Sequence, residues 1–113
     1  MNKLCYVCSP YRGNTERNVA YARELTRIAL DNGYAPVTPH LYLTQIIDES
    51  DAEQRKVGMD AGKEIMKQCS YIIIGSRFGL SEGMMSEIEA AIELGIVELA
   101  VTKHGLETVY GKK

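Results

Sequence analysis

Tyr71-Ile72-Ile73-Ile74-Gly75 (YIIIG) is the stretch that decides the fold of this chain. Four aromatic or β-branched residues follow one another without a polar break and end at a glycine. A strand that is apolar on both faces is typical of the middle of a parallel sheet, where helices cover both sides. YIIIG therefore predicts the central strand of an α/β protein.

Strand-like and helix-like patterns alternate on both sides of YIIIG. The predicted strands are residues 3–8, 35–38, 71–75 and 96–101, and the predicted helices are residues 15–32, 50–68 and 81–95. The residues after 101 predict no definite element. Because strands that alternate with helices form right-handed crossovers, we expect a three-layer α/β sandwich. Its parallel sheet would have four to five strands, with helices on both faces.

The composition is that of one ordinary globular domain. The 113 residues are 45% apolar and 25% charged, and the formal net charge is −2 at pH 7. Acidic and basic residues are interspersed, so nothing favours a nucleic-acid polymer or a membrane surface as partner. No run approaches the roughly 20 apolar residues of a membrane span, and no signal-peptide pattern is present. We expect a single domain over residues 1–113, located in the cytoplasm.

Cys5 and Cys8 have the spacing of a CxxC motif, but they lie in a predicted strand. Residues three apart on a strand point to opposite faces, so the two thiols do not readily share a metal ion or a disulfide. Together with Cys69 they are expected to be buried free thiols, and a redox or metal role is the alternative.

Ligands of such folds bind beyond the carboxyl ends of the strands, near helix N-termini. Three loops lie there, residues 9–14, 38–44 and 75–83, and they carry most of the unusual polar residues. We expect a site where these loops meet. On the helix over residues 50–68, Gly58 and Gly62 lie four apart and are expected to let the helix approach the sheet closely.

The segment SEGMMSE, residues 81–87, contains two glutamates at the start of a predicted helix. On a helical wheel of about 100° per residue, Glu87 falls at the border of the apolar arc, whereas Glu89 and Glu93 point to solvent. The arc comprises Met84, Met85, Ile88, Ala91, Ile92 and Gly95. Partial burial raises the pKa of a carboxyl group and a helix N-terminus lowers it, so Glu87 suits an ionised, poorly hydrated nucleophile. The alternative is a glutamate placed only for the helix dipole.

Taken together, YVCSPYRGN (residues 6–14), PVTPHLY (36–42) and SEGMMSEIEAAIELGI (81–96) resemble the nucleoside 2-deoxyribosyltransferase-like superfamily. They look closest to one of its small, functionally unassigned bacterial and phage branches. The resemblance extends from residue 4 to about residue 101. It implies a flavodoxin-like sheet and an enzyme that cleaves or transfers the N-glycosidic bonds of nucleosides and nucleotides. It also implies that no metal or organic cofactor is needed, and that each site is completed in a homodimer or larger homo-oligomer.

The resemblance also implies roles for individual residues. Glu87 matches a glutamate that attacks the anomeric carbon and forms a glycosyl-enzyme ester. Tyr6 matches a tyrosine that orients this nucleophile, although a tyrosine in a buried strand is by itself more typical of the core. The pattern Ser81-x-Gly83-x-x-x-Glu87 resembles the 2′-deoxynucleoside 5′-phosphate hydrolases, whereas transferases of free nucleosides tend to carry an aspartate at position 81. A hydroxyl and N–H groups at a helix N-terminus suit a phosphate, which an aspartate would repel.

The first loop resembles the phosphate-binding loop of the same hydrolases. Its candidate substrate contacts are Ser9, Tyr11, Arg12 and Gly13, and Arg12 offers a bidentate guanidinium fork to phosphate. The alternative for Arg12 is an ordinary surface arginine. His40, in the next loop, is either a hydrogen-bonding partner of the sugar or base, or a structural residue.

One position departs from the family pattern. Relatives carry an aspartate on the second helix that helps to protonate the departing base. The matching position here is Lys63, and Asp60 and Glu64 lie on neighbouring turns. Asp60 is the better-placed candidate if the helix is shifted.

These residues leave two functions open. The first is a nucleotide N-glycosidase or deoxyribosyltransferase, with Glu87 as nucleophile, Tyr6 orienting it, and Asp60 or His40 assisting the base. The second is a module that binds a nucleotide or a nucleotide-derived signal without turnover, which Lys63 favours. A flavodoxin-like electron carrier or a phosphatase has little support, because the first loop lacks a CxxxxxR motif and no aromatic clamp for a flavin is evident.

Overall fold

The computed structural model describes residues 2–109 of the chain, and it contains five strands, three α-helices and two short 3₁₀ turns within that range. The strands are β1 (Leu4–Cys8), β2 (Ala35–Val37), β3 (Tyr71–Ile74), β4 (Val97–Thr102) and β5 (Gly105–Thr108). The helices are α1 (Thr15–Asp31), α2 (Ala52–Met66) and α3 (Glu82–Leu94), and the 3₁₀ turns are Pro39–Leu41 and Leu43–Gln45. No helix in the described range is long and apolar enough to cross a membrane.

The strands form one sheet in the order β2-β1-β3-β4-β5. The first four pair in parallel, and β3, the YIIIG strand, lies in the middle with Ile72 and Ile73 fully buried. The predicted α/β fold is therefore confirmed. The structure contains one strand that the sequence did not predict: β5, which pairs antiparallel with β4. The turn between these two strands is too short for a crossover, so the chain can only fold back on itself.

Helices cover both faces of the sheet. On one face α1 packs Tyr21, Leu25 and Ala29 against a cluster that includes Cys5. On the other face α2 and α3 pack against a second cluster, which includes Cys8. The two cysteines thus lie on opposite sides of β1, and both are buried free thiols, as is Cys69. Burial raises the pKa of Cys5 to about 12, so this thiol stays protonated.

Each α-helix begins directly after a polar residue whose side chain caps its N-terminal end. Asn14 accepts a hydrogen bond from the Arg17 N–H at 3.1 Å, and α1 begins at the next residue. The cap of α2 is Asp51, one residue after the predicted helix start. Ser81 caps α3 by accepting from the Met84 N–H at 3.2 Å, and Gly95 ends the same helix at φ 72°, in the left-handed region.

The buried face of α3 differs from the predicted arc. Its buried residues are Met84, Glu87 and Ala91, whereas Met85 and Ile92 are 52% and 73% exposed. The reason is that α3 contacts both β1 and α2, which rotates its inward side toward Glu87. Glu87 therefore lies within the buried stripe and not at its border.

Candidate active site

A buried hydrogen bond joins Tyr6 on β1 to Glu87 on α3. The Tyr6 hydroxyl donates to Glu87 Oε2 at 2.5 Å, and the two residues are 1% and 8% exposed. An ionised acceptor makes such a bond short and strong. The sequence predicted this pairing only through the family resemblance, because the two residues lie 81 positions apart.

Gly62 on α2 makes room for this pair. A Cβ atom at position 62 would lie 2.8 Å from the Tyr6 hydroxyl and 3.8 Å from Glu87 Oε2. The predicted close approach of the helix at Gly62 is thus seen against a side chain of β1. Gly58 faces the Ile47 side chain in the preceding loop, where an added Cβ would lie 2.5 Å from its Cδ1.

The surroundings of Glu87 contain groups that raise its pKa and groups that lower it. Burial raises the pKa of Glu87, whereas hydrogen bonds from Tyr6 and Cys8 and the positive charge of Lys63 lower it. Burial, followed by the charge of Glu87, raises the pKa of Tyr6, so the tyrosine remains a hydrogen-bond donor. Burial likewise raises the pKa of Cys8 and leaves its thiol protonated. The result is a poorly hydrated carboxyl group that the neutral Tyr6 hydroxyl holds by a hydrogen bond.

A cavity of about 250 Å³ opens beside Glu87 at the carboxyl ends of the strands. Each of the three loops named from the sequence contributes to its wall, with Tyr11 and Arg12, His40, and Ser81 to Gly83. A second, narrower cleft of about 40 Å³ shares His40 and Glu87 and is also lined by Tyr6. Glu87 therefore lies where a wider and a narrower space meet.

His40 and Tyr11 form one side of the cavity. Their rings are stacked, with centroids 5.4 Å apart and planes at 29°. Burial lowers the pKa of His40, and a hydrogen bond to the backbone of Ser9 works in the opposite direction. A neutral imidazole has one N–H donor and one acceptor nitrogen, so His40 is suited to hydrogen bonding with an uncharged ligand group.

Two arginines line the cavity without an ionic partner. Neither Arg12 nor Arg55 has a carboxylate within ion-pair distance among residues 2–109, in contrast to Arg27 and Arg77, which are paired. The cavity also contains the N-terminal end of α3, with Ser81 and Gly83. Unpaired guanidinium groups next to a helix N-terminus are features that bind anions such as phosphate.

Several candidate residues lie outside this group. Ser9 is fully buried, is not part of the cavity wall, and its Oγ has no hydrogen-bond partner among the described residues. Gly13 is also outside the wall, and its φ of 95° shapes the loop behind Arg12. Asp60 points to solvent, with its side chain 63% exposed and paired with Lys56 at 3.0 Å. Glu64 is likewise exposed and pairs with Lys67.

Five residues of the cavity wall were not named as site residues from the sequence: Glu49, Arg55, Met59, Glu82 and Met84. Arg55, Met59 and Gly62 follow one another at steps of four and three residues, so they lie on one face of α2. That spacing is a signal that the sequence contains, but it is weak because the two glycines of α2 blur its amphipathic pattern. No comparable periodicity marks Glu49, which lies in the irregular segment before the helix.

The fold and the site define this chain as an α/β protein with a buried tyrosine–glutamate pair beside a cavity at the strand ends. Residues 3–99 match the family described as "Domain of unknown function (DUF7768)", and the chain belongs to that family. No curated protein matches the chain. A solved structure of a 2-deoxyribosyltransferase from the psychrotolerant bacterium Bacillus psychrosaccharolyticus is similar, with a TM-score of 0.65 and 18% sequence identity. The similarity covers 86% of this chain and 70% of that one, and it establishes a shared fold.

Proposed function

We propose that the protein cleaves or transfers the N-glycosidic bond of a nucleoside 5′-monophosphate, with Glu87 as the nucleophile. One observation carries this proposal: a buried glutamate, hydrogen-bonded to Tyr6 at 2.5 Å, reaches the wall of a cavity that also contains unpaired arginines. The resemblance of the sequence motifs to nucleotide hydrolases and the fold shared with a 2-deoxyribosyltransferase support it.

The chemistry follows from the surroundings of Glu87. Its carboxylate attacks the anomeric carbon, the bond from that carbon to the base breaks, and the electron pair leaves with the base nitrogen. The product is a glycosyl ester on Glu87, which water resolves in a hydrolase and a second base resolves in a transferase. Tyr6 holds the carboxylate in position. Asp60 faces away from the cavity, so of the two groups suggested by the sequence His40 is the one that can assist the base. As a neutral imidazole it donates a hydrogen bond to the departing base, and the proton that the base takes up comes from solvent water.

The substrate phosphate would lie between the first loop, the start of α2 and the start of α3. Arg12 and Arg55 supply positive charge, and neither is within ion-pair distance of a carboxylate among residues 2–109, although Glu49 and Glu82 line the same cavity. The Ser81 hydroxyl accepts a hydrogen bond from the Met84 N–H, so its own proton is free to be donated to a phosphate oxygen. Gly83 brings backbone close to the cavity without a side chain.

The test is incubation with a panel of nucleosides and nucleoside monophosphates, with the free base measured by chromatography. We expect base release from one or more monophosphates by the wild type and none by Glu87→Ala. Glu89→Ala is the matched control, because it removes an exposed glutamate from the same helix. Release by Glu87→Ala at the wild-type rate would overturn the nucleophile assignment, and no release from any substrate would overturn the enzymatic function.

A second function, nucleotide binding without turnover, is favoured by Lys63. This residue occupies the position at which relatives carry an acid, and its Nζ donates to Ser86 Oγ at 2.6 Å. Isothermal calorimetry with the same panel distinguishes the two functions. Nucleotide binding by the wild type, without release of base over long incubation, supports the binding module.

We also propose a homo-oligomer in the cytoplasm. The cytoplasmic location is supported by the free thiols at Cys5, Cys8 and Cys69, which fit a reducing compartment.

The homo-oligomer is supported by exposed apolar residues on and before α3, which offer a surface for assembly: Phe78, Leu80, Met85, Ile92 and Leu94. Light scattering after size-exclusion chromatography tests the assembly: we expect Ile92→Lys to reduce the molar mass of a wild-type dimer or larger species to that of a monomer.

A further inference from the structure

Lys63 differs from Lys56 on α2 and from Lys67, the residue that follows the last turn of α2 as its C-cap. Lys56 and Lys67 are exposed and pair with the carboxylates of Asp60 and Glu64 at 3.0 and 3.1 Å. Lys63 is partly buried and has no carboxylate within ion-pair distance among the described residues. Its Nζ instead donates to the hydroxyl of Ser86 at 2.6 Å, and Ser86 immediately precedes Glu87. Its positive charge is therefore not neutralised locally.

We propose that Lys63 is a positioning residue for Glu87: it holds the turn of α3 that carries Glu87 through Ser86, and its charge keeps the buried carboxyl group ionised. The kinetic consequence rests on the proposed function. The effect on the charge of Glu87 does not, because it is a property of the free protein.

The position of Lys63 in the fold explains this role. Gly62, the preceding residue, lies against the Tyr6 hydroxyl and is 3.8 Å from Glu87 Oε2, measured from its ideal Cβ. α2 therefore places a residue without a side chain beside the Glu87 carboxylate, and the next residue is a cation that hydrogen-bonds to Ser86, the residue before Glu87. Gly62 admits the Tyr6 hydrogen bond, and Lys63 supplies charge from the adjoining position. The hydrogen bond to the Ser86 hydroxyl also fixes the position of the Lys63 ammonium group, because Ser86 is part of α3.

The charged and titratable groups around Glu87 come from every neighbouring element. They are Tyr6 and Cys8 on β1, His40 and Glu49 in the following loops, Lys63 and Arg55 on α2, Arg12 in the first loop, and Glu82 on α3. Lys63 lowers the pKa of Glu87, in the same direction as the hydrogen bonds from Tyr6 and Cys8. Tyr6 and Cys8 are neutral donors, and Glu49 and Glu82 are of like charge. Among these cations Lys63 is the one whose charge lowers the pKa of Glu87, so its removal is expected to raise that pKa further.

The experiment is a pH titration of protein labelled with ¹³C at the glutamate side-chain carboxyl carbon. The Glu87 signal is the one lost in Glu87→Gln. In Lys63→Met we expect its titration midpoint to move upward by about one pH unit, the usual size for loss of a nearby opposite charge. Lys63→Arg is expected to restore the wild-type midpoint. Lys67→Met is the matched control, since it removes an exposed lysine at the C-terminal end of the same helix, and it is expected to leave the midpoint unchanged.

A midpoint in Lys63→Met equal to that of the wild type overturns the proposal, and so does an equal shift in Lys67→Met. Ser86→Ala keeps the lysine but removes its hydrogen-bond acceptor, and it serves if Lys63→Met does not fold. We expect Ser86→Ala to shift the midpoint in the same direction by a smaller amount, and no shift overturns the proposal.

Kinetics separates this proposal from the proposed function. With an active nucleotide substrate, we expect Lys63→Met to reduce kcat about tenfold at pH values below the wild-type midpoint of Glu87, with little change in KM, and the loss to shrink as the pH rises. If the Glu87 signal shifts as expected but no substrate is turned over, the role of Lys63 stands and the enzymatic function fails. If substrate is turned over with a wild-type pH profile in Lys63→Met, the enzymatic function stands and the role of Lys63 fails.

Discussion

Gly62 on α2 lies directly against the Tyr6 hydroxyl on β1: a Cβ atom at position 62 would be 2.8 Å from that oxygen. Real Cβ atoms essentially never approach a neighbour so closely, so any side chain at 62 must move Tyr6 or the helix. The Tyr6 hydroxyl is also the donor to Glu87. The absence of a side chain at Gly62 therefore matters both for the packing of α2 against β1 and for the geometry of the candidate nucleophile.

We expect Gly62→Ala to lower both stability and activity, although alanine favours helix. Overpacking typically costs about 1–3 kcal/mol, which exceeds the roughly 1 kcal/mol that alanine gains over glycine in a helix. Displacement of Tyr6 is also expected to reduce base release at least tenfold. Urea denaturation and chromatography of the free base measure the two effects.

A double-mutant cycle with Tyr6→Phe isolates the cause. Phenylalanine lacks the oxygen that the new methyl group would meet, so Gly62→Ala is expected to cost less stability in the Tyr6→Phe background than in the wild type. Equal costs in the two backgrounds would show that the methyl group clashes elsewhere.

Tyr6→Phe alone is expected to weaken catalysis by removing the hydrogen bond to Glu87. Hydrogen bonds to charged groups contribute about 1.5–3 kcal/mol, which corresponds to roughly a 10- to 100-fold loss of kcat. The loss is expected to be greatest at low pH, because this bond lowers the pKa of Glu87 and its removal favours the protonated, unreactive form. Tyr34→Phe, a change at a tyrosine of the other sheet face, is the control. A kcat in Tyr6→Phe equal to that of the wild type would contradict an orienting role.

Some of this arrangement could be predicted from the sequence because the signals are local. The apolar run of β3 predicts its central place, and Ser81 and Gly95 mark the ends of α3 through side-chain and backbone preferences that act within a turn. The helical pattern placed Glu87 at the border of the apolar arc of α3, next to the buried stripe in which the structure has it. Those features depend on residues close to one another in the chain.

The rest depends on tertiary packing. A helical wheel gives the phase of α3 but not its neighbours, so contact with α2 as well as β1 buries Glu87 and leaves Ile92 exposed. Residues 39–51 contain two short 3₁₀ turns without a helical or strand period, so Glu49 had no pattern to mark it. The rotation of α2 about its axis likewise points Asp60 to solvent and Arg55 to the cavity. That rotation is set by packing against the rest of the fold, so the sequence of the helix does not specify it.

Arg55 is expected to determine the preference for a phosphorylated substrate. Because it lines the cavity without a carboxylate partner, Arg55→Ala is expected to raise KM for a nucleoside monophosphate about tenfold or more, the effect of losing a charge-assisted hydrogen bond. KM for the corresponding nucleoside is expected to change little. Arg27→Ala, which removes an exposed arginine paired with Asp31, is the control. Equal effects on nucleotide and nucleoside would place Arg55 away from the phosphate.

Glu87→Gln is expected to stabilise the protein at neutral pH while abolishing activity. Burial raises the pKa of Glu87 above the ordinary glutamate value, so the native state binds this proton more tightly than the unfolded chain. The contribution of Glu87 to stability is therefore fully present below the pKa of the unfolded chain, about 4.3, and is lost as the pH rises through the native pKa. Glutamine carries no charge and keeps an acceptor for Tyr6. At pH 7.5 the variant is expected to exceed the wild type by about 0.5–2 kcal/mol, a usual gain when a strained functional residue is neutralised.

At pH 4, which lies below the pKa of Glu87 in both states, the carboxyl group is mostly protonated, so the difference between Glu87→Gln and the wild type is expected to become much smaller. Urea denaturation at the two pH values measures it, provided that circular dichroism shows native structure at pH 4. Glu93→Gln, at an exposed position of the same helix, is expected to leave the pH dependence of stability unchanged. A Glu87→Gln variant less stable than the wild type at pH 7.5 would mean that Tyr6, Cys8 and Lys63 together outweigh burial, and that the ionised glutamate stabilises the fold it occupies.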